Sequence, residues 1–358
     1  MVEETARKKI NLALQGGGAF GAFTWGVLDR ILEDGRLDIE GVTGASAGAI
    51  NASILKDGLA RGGRAEARNR LAEFWRAASI NGNLPDLQRK VIDGLFQPAK
   101  LWLEVVANFQ PGPLLLPPLL VSPYYSQLHN INPLKELIEA FVDFEAIRKR
   151  ELPKLFISAT NVETGKLHIF SEDGITAEAI AASACLPNLF RAVEINGVPY
   201  WDGAFLGNPP IFPLLHSTTT KDILLVQLTP FQRQGAPTSS AHILRRLIEI
   251  AINSPLMGEL RAIEYVNRLI DGGQLADGIE PDKYKRVNMH RVILDDFGKE
   301  LDLLGPANTD YQFFEMLRDL GREAAQRFMD AHFEDIGVRD TMDLAREVRA
   351  VTELEVYA

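Results

Sequence analysis

Apolar positions in the first part of the chain alternate between short unbroken runs and helical spacing. Ile10-Asn11-Leu12-Ala13-Leu14-Gln15 is a short apolar run that ends in glycines, as expected of a strand buried in a parallel sheet. From Phe20 to Glu33 the apolar residues Phe23, Val27, Leu28, Ile31 and Leu32 recur at helical spacing, and the pattern closes at Gly35. A second short strand is expected around Gly41-Val42-Thr43. A tight small-residue turn follows it, and then a helix over Ala49 to Leu55. Strand, glycine turn, helix, strand, sharp turn, helix is the alternation of a parallel sheet with helices packed on it.

Farther on, strand patterns return at Leu155 to Ala159, Leu167 to Phe170, Ile223 to Leu228 and Val287 to Leu294. A hairpin is expected around Gly197, between Val193-Glu194-Ile195 and Val198-Pro199-Tyr200. Helical spacing covers Ala177 to Ala184, Ala241 to Leu269 and Thr309 to His332, with a peripheral helix expected over Thr341 to Val348. Between Leu95 and Leu128, Pro98, Pro111, Pro113, Pro117, Pro118 and Pro123 rule out one continuous helix. Residues 95–128 are read as a helical insertion, by the plainer account ordinary packing over the sheet. The functional account is a lid, motivated by Trp102, the leucines and the tyrosines. No repeat or linker divides the chain. The expected organisation is one α/β domain over 8–335, core motifs within 9–228, and a peripheral segment over 336–358.

Composition narrows the function classes. The chain has 358 residues, 46% of them hydrophobic and 24% charged, which suits a globular protein with a sizeable core. A formal net charge of −10 argues against a general nucleic-acid surface and weakens long-range attraction to anionic lipid, a local basic patch excepted. Cys185 is the only cysteine, so neither an intrachain disulfide nor a cysteine metal cage can form. Met1 to Thr5 lack the basic-then-apolar layout of a secretory signal, and no stretch approaches the roughly 18 apolar residues of a membrane span. A soluble cytoplasmic protein is expected, with transient contact at a membrane surface.

Three motifs carry chemistry. Gly44-Ala45-Ser46-Ala47-Gly48 has the form G-x-S-x-G of a nucleophile elbow, which lifts a serine oxygen clear of the sheet at a helix N-terminus. Gly16, Gly17, Gly18 and Gly21 form a glycine loop between strand and helix, where backbone amides approach a ligand without Cβ obstruction. Such a loop can hold an oxyanion. It also satisfies the G-x-G-x-x-G of dinucleotide-binding folds. That fold wants an acid at the end of the next strand, whereas Asp38 and Glu40 precede Gly41-Val42-Thr43 and that strand ends in the serine turn. The third motif is Asp202-Gly203-Ala204, followed by Asn208-Pro209-Pro210. Alone, Asp-Gly is most often a turn.

In this order the three motifs resemble the patatin-like phospholipases. The similarity extends to Ala159-Thr160-Asn161, to Ala181-Ala182-Ser183 before Pro187, and to Asn208-Pro209, and covers roughly Lys9 to Leu228. The resemblance implies a three-layer α/β/α fold with a mostly parallel sheet and a Ser-Asp dyad without a histidine. Ser46 would be the nucleophile, Asp202 its base and the glycine loop the oxyanion site. Cofactor and metal would be absent, and the substrate a phospholipid or another fatty-acyl ester. An aspartate of ordinary pKa near 4 is a poor base, so burial must raise it. Where many members of the family carry a basic residue, this chain has Phe20, so no positive charge is expected beside the loop.

Two rival readings remain at this level. A Ser-Asp-His triad needs a late histidine, for which Asp295 with His332 is a forced pairing. None of the six histidines sits at metal-ligand spacing from another. A non-catalytic acyl-binding protein would keep the same fold. Cys185, in Ala184-Cys185-Leu186-Pro187, reads as a small buried hydrophobe.

Overall fold

The computed structural model describes residues 7–79, 123–125, 133–187, 189–278, 284–294 and 308–348. Of the insertion expected over 95–128, all but residues 123–125 lies outside the described residues, as do His129 and Asp295. Eight strands form one sheet: β1 (Lys8–Leu14), β2 (Leu37–Gly44), β3 (Lys154–Asn161), β4 (Lys166–Ser171), β5 (Val193–Ile195), β6 (Val198–Asp202), β7 (Asp222–Gln227) and β8 (Asn288–Ile293). Their order is β5-β6-β3-β2-β1-β7-β8, with β4 paired to β3 off this path. The five strands β3-β2-β1-β7-β8 run parallel, and the β4, β5 and β6 pairings are antiparallel.

The helices are α1 (Gly21–Asp34), α2 (Ala47–Ala77), α3 (Pro133–Phe141), α4 (Phe144–Lys149), α5 (Ala177–Ser183), α6 (Phe212–Ser217), α7 (Ser240–Asp271), α8 (Tyr311–His332) and α9 (Leu344–Val348). Alternation along the strands sorts side chains onto two faces. Ile10, Leu12 and Leu14 of β1, with Leu224 and Val226 of β7, enter a core shared with α1, α2, α5 and α8. Ala13, Ile223 and Leu225 face the other way, into a second core with Leu214 of α6, Leu256 and Leu260 of α7, and Leu344 and Val348 of α9. The result is the expected three-layer α/β/α arrangement around a mostly parallel sheet.

The expected strands and long helices form with shifted boundaries, and α3, α4 and α6 are helices that the periodicity did not mark. β2 starts at Leu37, so Asp38 and Glu40 lie within the strand rather than before it. Glu40 is buried there because Thr219 and Thr220 donate backbone hydrogen bonds to its carboxylate, each at 2.8 Å. α2 extends well beyond Leu55, with a break at Gly63 where φ is 77°. The expected final helix begins only at Leu344, and Met342, Leu344 and Val348 are buried in the second core.

Candidate active site

β3 brings two distant segments together. One edge of β3 pairs with β4 along Phe156 to Asn161. On the opposite edge, β2 pairs in parallel as far as Gly44↔Ile157, and β6 pairs antiparallel from Asn161↔Tyr200 to Ala159↔Asp202. The C-terminal ends of β2 and β6 therefore meet head-on along that edge. The residue two beyond the end of β2 is Ser46, and the last residue of β6 is Asp202.

Ser46 has φ 51° and ψ −123°, a conformation that a side-chain-bearing residue rarely adopts, and it caps the N-terminus of α2. The neighbours of Ser46 enforce this turn. Ala45 N–H donates to the Leu14 carbonyl at 3.4 Å, and a Cβ on Gly48 would stand 2.1 Å from the same oxygen, so only glycine fits there. Gly44 and Gly48 thus let α2 leave the sheet at once, with Ala45 and Ala47 buried. Gly16 lies directly against the serine, since a Cβ on it would be 2.8 Å from that of Ser46.

Asp202 is 1% exposed, and burial pushes its carboxyl up to about 7 from 3.8. Two hydrogen bonds oppose that rise: one from Ala204 N–H, at 2.8 Å to Oδ1, and one from the Ser46 side chain. The Asp202 main chain is fixed on both sides, its N–H donating to Cys185 O at 2.9 Å and its carbonyl accepting from Thr160 Oγ1 at 2.8 Å. A short segment at the end of α5 touches both key residues. Ser183 Oγ accepts from Ser46 N–H at 3.0 Å, two residues before the segment reaches Cys185. Cys185 itself is fully buried, and its thiol is pushed up to about 12 by burial and then by the Asp202 charge, so it stays neutral.

The glycine loop stands opposite the serine. Gly16 N–H is committed to Asn208 Oδ1 at 2.7 Å. Among the described residues, the N–H groups of Gly17 and Gly18 at the loop, and of Ala47 after the serine, have no acceptor. Gly21 opens α1 beside Ala47, to which Cβ-to-Cβ spacing would be 2.7 Å. Phe20 packs on Phe313 of α8 with ring centroids 6.4 Å apart. Gly203 and Ala204 form the turn after Asp202, pressed against Ser158, whose Oγ lies 3.3 Å from Gly44 O and 3.1 Å from Gly207 O.

Three supporting residues of this site, Gln15, Ser158 and Asn253, carry no local motif, and a fourth, Ser183, lies in the Ala181-Ala182-Ser183 segment noted above. Gln15 Oε1 accepts from the N–H groups of Leu228 and Thr229, each at 2.7 Å, while its Nε2 donates to Asn253 Oδ1 at 2.8 Å. That side chain ties the loop to the end of β7 and to α7. Ser158, Ser183 and Asn253 complete the support.

No hydrogen bond links a described histidine to Ser46 or Asp202. His290 pairs with Asp222 at 3.0 Å, but Asp222 opens β7, at the end of the sheet opposite the serine. His332 pairs with Asp335, also at 3.0 Å. Among the described residues no group of three His, Cys, Asp or Glu side chains is placed to hold a metal, and no helix is long and apolar enough to cross a membrane.

No curated protein matches the chain by sequence. Among solved structures, VipD from Legionella pneumophila is similar at TM-score 0.39 and 16% identity, covering 92% of this chain and 68% of VipD. ExoU, from the type III secretion system of Pseudomonas aeruginosa and solved in a heterodimeric complex with SpcU, is similar at TM-score 0.38 and 15% identity. That match covers 91% of this chain, which spans about half, 53%, of ExoU's length. The family model described as patatin-like phospholipase matches residues 12–215, from inside β1 past the Asp202 turn. Both strand ends that meet on β3 fall within that match, which takes in more than half of the sequence: the chain belongs to the patatin-like phospholipases.

Proposed function

We propose that the protein is a serine acyl hydrolase that cleaves fatty-acyl esters of phospholipid or lysophospholipid through a Ser46-Asp202 dyad. The observation that carries this reading is the buried Asp202 carboxyl, raised to about 7 and bonded to the Ser46 side chain, with no histidine between them. A carboxylate of that basicity exchanges protons efficiently near neutral pH.

In the first step Asp202 takes the proton of the Ser46 hydroxyl as Oγ attacks the acyl carbonyl. The carbonyl oxygen becomes an oxyanion beside the acceptor-free N–H groups of Gly17 and Gly18, while the N-terminal amides of α2 favour negative charge at the serine. Gly16 plays a different part. Its N–H is spent on Asn208, so it holds the loop in place and leaves the donor role to its neighbours. Collapse of the tetrahedral intermediate expels the alcohol, which takes the proton from Asp202 and leaves an acyl-serine. Water then attacks the acyl carbon as it loses a proton to Asp202, and the second tetrahedral intermediate breaks its bond to Ser46 Oγ, which takes that proton back as the fatty acid leaves. Ser183 and Cys185 keep the two residues in register by gripping their backbone N–H groups. The single-domain reading over 8–335, with 95–128 as a helical insertion or a lid, belongs to this proposal as well.

Fluorophosphonate labelling tests it. The expected result is one modified residue, Ser46, by mass spectrometry, and labelling that falls sharply in Asp202→Asn. Labelling elsewhere, or at Ser46 with undiminished rate in Asp202→Asn, would overturn the dyad. Absence of labelling and of turnover on every ester would move the protein to the acyl-binding reading.

A further inference from the structure

The first half of α7 is built inside out. Its exposed stripe is apolar: Ile243, Leu247 and Ile250 recur at i, i+4 and i+7, with Leu247 59% and Ile250 52% exposed and Ile248 beside them at 49%. Its covered side is polar. Glu249 is buried and takes hydrogen bonds from Arg233 at 2.9 Å, Arg245 at 2.9 Å and Arg246 at 3.2 Å, and Asn253 is buried against Gln15. Beyond Pro255 the helix reverts to the usual arrangement, with Leu256, Leu260 and Ile263 in the second core. A soluble helix normally turns its apolar stripe inward, so an outward stripe marks a contact surface.

The place and charge of this stripe select its partner. α7 follows β7, whose C-terminal end lies beside that of β1, the same end of the sheet as Ser46. The Gln15 amide joins the helix to the residue next to Gly16. Phe205, 40% exposed, sits on the turn after Asp202 that packs against α7. Between Asp222 and Glu249 the sequence has no Asp or Glu, while Arg233, Arg245 and Arg246 fall there. With Glu249 counted, the three arginines share one carboxylate and the segment stays cationic in a chain of net charge −10. An apolar stripe with arginines beneath it matches an interface whose headgroups are anionic and whose interior is hydrocarbon.

We infer that the Ile243–Ile250 face of α7 is the surface by which the protein docks on an anionic phospholipid bilayer, presenting the Ser46 end of the sheet to the lipid. The surface rests on the proposed function only for its purpose. Its existence does not depend on Ser46 being the nucleophile, and the test is arranged accordingly.

The full-length protein carrying Ser46→Ala, which leaves vesicles intact, is sedimented with phosphatidylcholine vesicles made with and without phosphatidylserine. It is compared with the same protein carrying Leu247→Glu and Ile250→Glu. Both substitutions lie on the exposed stripe, and unchanged thermal melting verifies the fold. Binding to phosphatidylserine vesicles is expected to exceed binding to phosphatidylcholine alone, to weaken with added salt, and to fall at least about tenfold in the double variant. With Ser46 restored, the double variant should hydrolyse a soluble short-chain ester at the parent rate. Equal vesicle binding by the two proteins would overturn the inference. So would a parent that sediments as a dimer and a variant that sediments as a monomer with vesicle binding unchanged, which would assign the stripe to a second copy. Loss of vesicle binding in the double variant, together with no ester turnover by the parent that carries Ser46, would count against the catalytic reading and leave the docking surface standing.

Discussion

β2 and β6 end within two register positions of each other on β3, yet they hold their catalytic candidates in different ways. Ser46 concentrates the cost in the backbone: φ 51° at a non-glycine residue, enforced by contact between Gly48 and the end of β1. Asp202 has an ordinary backbone, φ −49° and ψ 133°, and concentrates the cost in its side chain, a carboxyl taken out of water. The first arrangement sets direction and the second sets basicity. A nucleophile must point out of the sheet towards a ligand, whereas a base must have the right proton affinity, and the two strand ends meet these demands with different physical means.

This contrast breaks first at the chemistry. Asp202→Asn keeps the shape and removes the base, so kcat/KM on a soluble ester is expected to fall by about 10²–10⁴-fold, read in a steady-state assay. A pH profile sharpens it next. With the Asp202 carboxyl near 7, kcat/KM should rise about tenfold per unit below pH 7 and level off above it, and the profile should vanish with the residual activity of Asp202→Asn. Stability should move oppositely. The folded state holds the proton up to about 7 while the unfolded state releases it near 3.8, so the stability due to this group is complete below 3.8 and is lost as pH rises to 7. Denaturant titrations should show a decline of about 4 kcal/mol across that window, as an upper figure, flattened in Asp202→Asn.

At the other strand end the effects belong to geometry. Gly48→Ala drives a methyl into the Leu14 carbonyl and should cost about 1–3 kcal/mol at every pH, with activity lost in proportion to the displaced turn. Ser46→Gly abolishes turnover but relieves the left-handed φ, and should raise the melting midpoint by the equivalent of about 1 kcal/mol. If Ser46→Gly lowered stability while Asp202→Asn left the pH dependence intact, the division into backbone cost and side-chain cost would be wrong.

How much of this was legible in the sequence follows from the range of the interactions. Glycines around Ser46 and after Asp202 are local requirements of a turn, so they appear as spacing. The strands and helices appear because burial on a sheet imposes its period. Ser158, Ser183, Gln15 and Asn253 act by hydrogen bonds between segments remote in sequence, and no window of residues contains such a bond. α7 shows a third case. Helical spacing from Ala241 to Leu269 identifies a helix but leaves open which side faces inward, because periodicity fixes the stripe and not its partner. Burial of Glu249 among three arginines decides that question, and the lack of acidic residues before it was the only local trace.

The meeting of β2 and β6 on one edge of β3 also bears on how the protein comes to be active. Neither strand end touches the other through neighbouring residues in the chain, so the dyad cannot form by local collapse. It must wait for a parallel crossover and an antiparallel return to close over β3, pairings of long sequence separation that form slowly. During refolding, helical signal should therefore return well before esterase activity. A partly folded chain would carry Ser46 and Asp202 apart, which puts a delay between synthesis and the assembly of the site.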